Sequence, residues 1–228
     1  MTNKNLTLLA MLLDRSGSMR GIKDDTEGGF NAFIEEQAKQ PGQVDVTLAQ
    51  FDDRFDYVYR NVPISDAPML KLEPRGMTAL LDAIGKLVTE VGAELRARPE
   101  HLRPGQVIVV ITTDGHENAS RKWTVQQVRE LITQQQDQWG WTFIFLGANI
   151  DAIGTARDFG IPATASMDYG ANAAGTQAVY AAASANVSMV RGGQSVNFTA
   201  AQREAAMGEP DAKPGAKAKA HAPTVTSK

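Results

Sequence analysis

The chain has 228 residues, 43% of them hydrophobic and 21% charged, with no cysteine and a formal net charge of −3. The missing cysteine excludes disulfides and thiolate metal sites, which is compatible with a reducing compartment. The acidic balance excludes the basic footprint of a nucleic-acid-binding domain; the length suits one large α/β domain or two small ones, and the composition agrees with a single unit. Residues 209–228 are rich in Ala, Pro and Lys; four lysines against two acids make them +2, leaving −5 on residues 1–208. With little to bury, 209–228 is expected to be a disordered tail behind a domain of residues 1–208.

In chain order, the apolar run 6–13 reads as a strand covered on both faces. It is too short to span a bilayer and ends at Asp14-Arg15 rather than at a small-residue cleavage site, so no membrane association and a cytoplasmic location are expected. A helix follows near 22–39, with Phe30, Phe33 and Ile34 as its apolar stripe. Gly28-Gly29 weaken that pattern unless the helix packs closely on the sheet there. Residues 44–51 and 55–59 flank Asp52-Asp53-Arg54 as a hairpin with an antiparallel edge strand. Asp52, Asp53 and Asp56 are expected to be solvated turn and edge residues rather than a second metal site.

A helical pattern opens at Thr78 and runs to Val88, and the β-branched run 106–113 is a second strand buried on both faces. A helix near 124–138, a strand at 141–148, a short helix at 150–159, a short strand near 163–167 and an Ala-rich helix at about 171–190 complete the order. Strands interleaved with helices imply right-handed crossovers. The expected α/β fold is a doubly wound, mostly parallel six-stranded sheet with one antiparallel edge strand and helices on both faces.

Three loops carry oxygen chemistry. The first strand closes on Asp14-Arg15-Ser16-Gly17-Ser18, the strand at 106–113 closes on Asp114-Gly115, and Pro74-Arg75-Gly76-Met77-Thr78 brings a third hydroxyl to a helix start. Hard oxygens suit Mg²⁺, Mn²⁺ or Ca²⁺ rather than zinc or copper, although each piece read singly is also an ordinary turn. Open parallel sheets place sites outside the carboxyl ends of strands where the strand order reverses, so these loops can converge. Mg²⁺ held by neutral hydroxyls, with carboxylates farther out, stays electrophilic and partly hydrated. A partner's Asp or Glu carboxylate can take an exchangeable water position. That logic favours binding over catalysis.

On these residues the chain resembles the von Willebrand factor A domains, whose metal-ion-dependent adhesion site (MIDAS) pairs Asp-x-Ser-x-Ser with a Thr and an Asp on later loops. The resemblance implies the doubly wound fold over roughly residues 5–190. It further implies that Ser16 and Ser18 bind Mg²⁺ directly, that Thr78 binds it directly or through water, and that Asp14 and Asp114 act largely through water. Intracellular bacterial and phage members typically partner other proteins, so the resemblance also implies a protein partner, such as an AAA+ ATPase or a stress-response assembly.

The runner-up is a metal-dependent hydrolase, phosphohydrolase-like, with the ion as Lewis acid and His116 as general base. The chain has no G-x-x-x-x-G-K-[ST] loop, G-x-S-x-G elbow or H-E-x-x-H helix, so no enzyme activity is expected. His116 reads as a loop histidine at the rim, with Glu117 and Asn118 shaping which partners fit. Arg15 either recruits an acidic ligand or extends into solvent. Trp123, Trp139 and Trp141, like Met11, Met19 and Met77, are expected to be packing residues.

Overall fold

A computed structural model describes residues 1–208; the tail expected at 209–228 lies outside the described residues. Six strands form one sheet: β1 (Asn3–Asp14), β2 (Gln43–Phe51), β3 (Phe55–Pro63), β4 (Pro104–Thr113), β5 (Thr142–Ala148) and β6 (Ser166–Tyr169). Their order is β3-β2-β1-β4-β5-β6. All neighbours are parallel except β2 and β3, as the sequence predicts. The central strands carry the unbroken apolar runs because both of their faces are covered; in β1, every residue from Thr7 to Asp14 is buried.

The helices are α1 (Lys23–Lys39), α2 (Leu80–Ala97), α3 (Val125–Trp139), α4 (Ala152–Asp158), α5 (Ala173–Arg191) and α6 (Ala200–Met207). They form two groups, α1 with α5 and α6, and α2 with α3 and α4. In α2, Leu80, Ile84, Leu87, Val88, Val91 and Leu95 are buried, the 3.6-residue stripe of a helix seated on a sheet. The close approach at Gly29 is to a helix, not to the sheet: a Cβ there would lie 2.5 Å from the Tyr180 ring of α5. Nearby, Gln37 of α1 donates to the Ser184 carbonyl at 2.8 Å.

The chain runs outward from β1 through β2 to β3, then returns to the other side of β1 for β4, β5 and β6. The strand order therefore reverses between β1 and β4. Leu13 pairs with Thr112, so Asp14 and Thr113 end side by side at the carboxyl edge of the sheet. That edge is where the oxygen-bearing loops emerge.

Three elements differ from expectation. Residues 163–165 form a 3-10 turn, and the last strand begins only at Ser166. Helix α6 was not foreseen; its signal is a capping box in which the Thr199 side chain accepts from the Gln202 amide while the Gln202 side chain accepts from the Thr199 amide. The β2–β3 pairing shifts register between Val46 and Ala49. On the opposite strand Asn61 has φ 49°, and its amide donates to Thr47 Oγ1 at 3.0 Å. Asn tolerates this left-handed conformation better than most residues.

Candidate metal centre

Asp14 is fully buried, and its carboxylate is held from two sides. Oδ1 accepts the Ser16 amide at 2.6 Å and Oδ2 accepts the Thr113 hydroxyl at 2.6 Å. The first contact is an Asx turn that folds the loop back over the strand end. It aims Ser16 and Ser18 at each other, with their Oγ atoms 3.0 Å apart. Ser18 Oγ then donates to Asp114 Oδ1 at 2.6 Å. The loops after β1 and β4 thus meet through side-chain oxygens, as expected from their place at the strand-order reversal.

Thr78 joins them from the third loop. Its side chain is buried, and a Cβ built on Gly115 would lie 2.9 Å from Thr78 Oγ1 and 3.6 Å from Ser18 Oγ. All five residues singled out in the sequence, Asp14, Ser16, Ser18, Thr78 and Asp114, therefore surround one small space. Glycine at 115 keeps that space open.

Thr78 is not the helix cap that its position suggested. Helix α2 begins two residues later without a side-chain cap of its own, and the loop after β4 supplies the acceptors. Glu117 Oε2 accepts the Leu81 amide at 2.9 Å, and Ser120 Oγ accepts the Asp82 amide at 3.0 Å. Asn118 clamps Thr78 itself, accepting its amide at 2.9 Å and donating its own amide to the Thr78 carbonyl at 3.0 Å. Glu117 and Asn118 thus position the third loop, and Asn118 is exposed. The arrangement leaves the Thr78 hydroxyl without a hydrogen bond to protein among the described residues.

Burial pushes the Asp14 carboxyl up to about 6, against lowering contacts from Thr113 and Ser16. Burial also raises the Asp114 carboxyl, opposed by the Ser18 hydrogen bond. Desolvation dominates in both because neither carboxylate has an ion pair among the described residues. The nearest basic residue in sequence, Arg15, points elsewhere. It neither reaches solvent nor faces the site, being only 8% exposed. Its Nε donates to Asp52 Oδ2 at 3.0 Å, and its Nη2 pairs with Asp56.

Asp52 also departs from expectation. It sits in a turn, but it is 0% exposed rather than solvated. Beyond Arg15, it takes Arg75 Nε at 2.8 Å and the Arg54 amide at 2.6 Å. Burial raises its carboxyl, but the contacts from Arg75, Arg54 and Arg15 outweigh it and hold the group below the ordinary range. Backbone bonds reinforce the tie: the Arg15 amide donates to the Phe51 carbonyl, the Arg75 amide to the Arg15 carbonyl, and the Ala79 amide to the Asp52 carbonyl. One buried carboxylate thereby fastens the first and third site loops together.

His116 lies exposed on the loop after β4, and no hydrogen bond to another described residue orients its ring. Trp141 is buried and Trp123 half-buried, but Trp139 is 60% exposed. Met11 and Met19 are core residues, whereas Met77, adjoining Thr78, is 53% exposed.

The donor set fits a hard divalent cation. It offers three hydroxyls and two carboxylates lacking a countercharge, with no sulfur or imidazole. No group of three or more His, Cys, Asp or Glu side chains that could hold a metal occurs among the described residues. Any ion here would therefore depend on the hydroxyls.

No protein-family model and no curated protein matches the chain. Solved structures do. Proximal thread matrix protein 1 from the mussel byssus, solved with a zinc-occupied MIDAS motif, is 15% identical over 71% of this chain and 41% of that one, with a TM-score of 0.52. A von Willebrand factor type A protein from Catenulispora acidiphila is 14% identical over 80% of this chain and 42% of that one, TM-score 0.56. The vWF domain of the type V pili tip protein Mfa5 from Porphyromonas gingivalis is 8% identical over 81% of this chain and 95% of that one, TM-score 0.56. The chain spans less than half the length of the mussel protein. At these identities the likeness shows the fold, which is that of von Willebrand factor A domains.

Proposed function

We propose that this chain is a Mg²⁺-dependent protein-binding module, in which Ser16 and Ser18 hold the ion directly, Thr78 holds it directly or through water, and Asp14 and Asp114 support it largely through water. The carrying observation is geometric: a fully buried Asp14 and an Asp114 hydrogen-bonded to Ser18 stand beside the Ser16, Ser18 and Thr78 hydroxyls, with no ion pair to either carboxylate among the described residues. A bound cation would supply the missing countercharge and leave one position for an anion. The anion is read as an Asp or Glu side chain of a partner protein. Ser18 stands at the exposed end of the donor set, where such a side chain can arrive.

The module is read as non-catalytic, since His116 lacks the orienting partner that a general base ordinarily has. A cytoplasmic setting, with an AAA+ ATPase or a stress-response assembly as partner, belongs to the same proposal. No helix among the described residues is long and apolar enough to cross a membrane.

The test is thermal unfolding with Mg²⁺, Mn²⁺ or Ca²⁺ against EDTA, for the wild type and Ser16→Ala. An ion that binds only the folded chain stabilises it by about 2.7 kcal/mol at 100-fold over Kd. A melting shift in the wild type that Ser16→Ala abolishes supports the site. An identical response in both proteins refutes it.

A further inference from the structure

We infer that the groove beside the metal centre is a second subsite for the same partner, built to hold an acidic segment that carries one apolar side chain. This inference rests on the metal-dependent reading above. The groove encloses about 700 Å³ between α2, the β2–β3 turn and residues 119–123. It begins where the metal centre ends. Met77 and Ala79, the neighbours of Thr78 on either side, line it, and so does Ala119, whose amide donates to the Thr78 carbonyl at 3.2 Å.

The groove has an apolar seat. Met77 lies 53% exposed at its mouth, and the half-buried rings of Phe55 and Trp123 form its walls. The Trp123 indole lies directly on α2 because residue 85 is glycine: a Cβ there would come within 2.2 Å of the ring. An exposed thioether between aromatic walls is an adaptable contact for an incoming apolar group.

Charge selects the occupant. Arg54, Lys86, Arg121 and Lys122 line the groove, and all are exposed. None makes an ion pair among the described residues; Lys86 Nζ instead sits 4.6 Å over the Phe55 ring. Three acids share the lining, Asp53, Asp82 and Glu90; Asp82 is taken up by the Arg121, Lys122 and Trp123 amides, at 3.0, 2.8 and 2.9 Å. A body with an acidic balance over residues 1–208 thus places four exposed cations against three acids, a small positive excess, next to the position where a partner carboxylate would bind. Such clustering favours an acidic peptide, in which further carboxylates flank the one on the ion.

The experiment uses the full chain with Mg²⁺ and two fluorescein-labelled peptides. One carries a single glutamate among glycines and serines; the other adds a leucine and two acids after that glutamate. The second peptide is expected to bind about tenfold tighter, the size that several exposed charge contacts can supply together. Arg121→Glu with Lys122→Glu should remove that advantage while leaving the Mg²⁺ melting shift unchanged. Should that variant fold poorly, Arg121→Gln with Lys122→Gln gives the same reading with smaller loss.

Equal affinity for the two peptides overturns the inference, as does undiminished binding by the charge variants. Preference for phosphatidylserine vesicles over the acidic peptide, lost in the same variants, overturns it in favour of a membrane. A missing Mg²⁺ shift, with the second peptide still preferred and still lost in the charge variants, refutes the metal reading alone.

Discussion

Replacing Asp52 by Ala tests whether the two site loops are fastened as described. The change removes a carboxylate that is 0% exposed and accepts Arg15 Nε at 3.0 Å, Arg75 Nε at 2.8 Å and the Arg54 amide at 2.6 Å. Hydrogen bonds to charged groups contribute about 1.5–3 kcal/mol each. Arg75 is half exposed and returns to water at little loss, about 0–1 kcal/mol. Arg15 and the Arg54 amide carry the rest, and Arg15 keeps part of its compensation from Asp56. The expected loss is about 3–4 kcal/mol, near the lower end for breaking a buried pair. In a domain of this size that lowers Tm by roughly 6–16 °C.

Chemical denaturation of wild type, Asp52→Ala and Asp52→Asn measures the loss, with the Asn variant intermediate because it keeps the volume and some acceptor capacity. The sign with pH follows from the lowered native carboxyl. Its stabilisation is present above the unfolded value of about 3.9 and is lost as pH falls through the lower native value. The gap between wild type and Asp52→Ala should therefore hold at neutral pH and narrow below about pH 4. A loss under about 0.5 kcal/mol, the usual range for a surface substitution, would return Asp52 to the solvated turn residue that the sequence suggested and refute the fastening.

Thr78→Val keeps the β-branched shape and removes only the hydroxyl; folding should be retained, and binding of a carboxylate peptide should weaken more than the Mg²⁺ melting shift does. Equal losses in the two assays would assign Thr78 to ion retention rather than to partner capture. Gly85→Ala forces the Trp123 ring off α2, where the new Cβ would sit 2.2 Å from it; the expected destabilisation is about 1–3 kcal/mol by denaturant melt, and a neutral result would mean that the indole moves freely. Asp82→Asn removes a carboxyl that three amides hold below its ordinary value against the effect of burial. Its contribution to wild-type stability should be present above the unfolded value and disappear as pH is lowered further, so a wild-type-minus-variant difference that grows on acidification would contradict the assignment.

The sheet was legible because burial on both faces writes itself locally: β1 and β4 carry the unbroken apolar stretches Leu8–Leu13 and Val107–Ile111, too short for an ordinary helix and, in β4, β-branched throughout. Asp14 and Asp114 were legible as residues of the candidate site for a related reason, since a carboxylate at the end of such a run stands out against it. What escaped depends on residues far apart in the chain. Asp52 looked like any turn aspartate because its partners Arg15 and Arg75 are 37 and 23 residues away. Thr78 looked like a cap because the groups that start α2, Glu117 and Ser120, arrive from another loop. Helix α6 has a local signal, since Thr199 and Gln202 stand at capping-box spacing.

The irregular pairing of β3 bears on how the molecule behaves among its own copies. An edge strand offers a row of unsatisfied amides and carbonyls on which a second sheet could grow. Here the register slips between Val46 and Ala49, and Asn61 turns the backbone through φ 49°. Asp56 and Arg60 add charge to the same exposed strand. An incoming strand would meet a bent, charged template and find only short stretches in phase. Crowding many copies side by side should therefore leave their sheets separate, so that contacts are made at the loops rather than by fusion of edges.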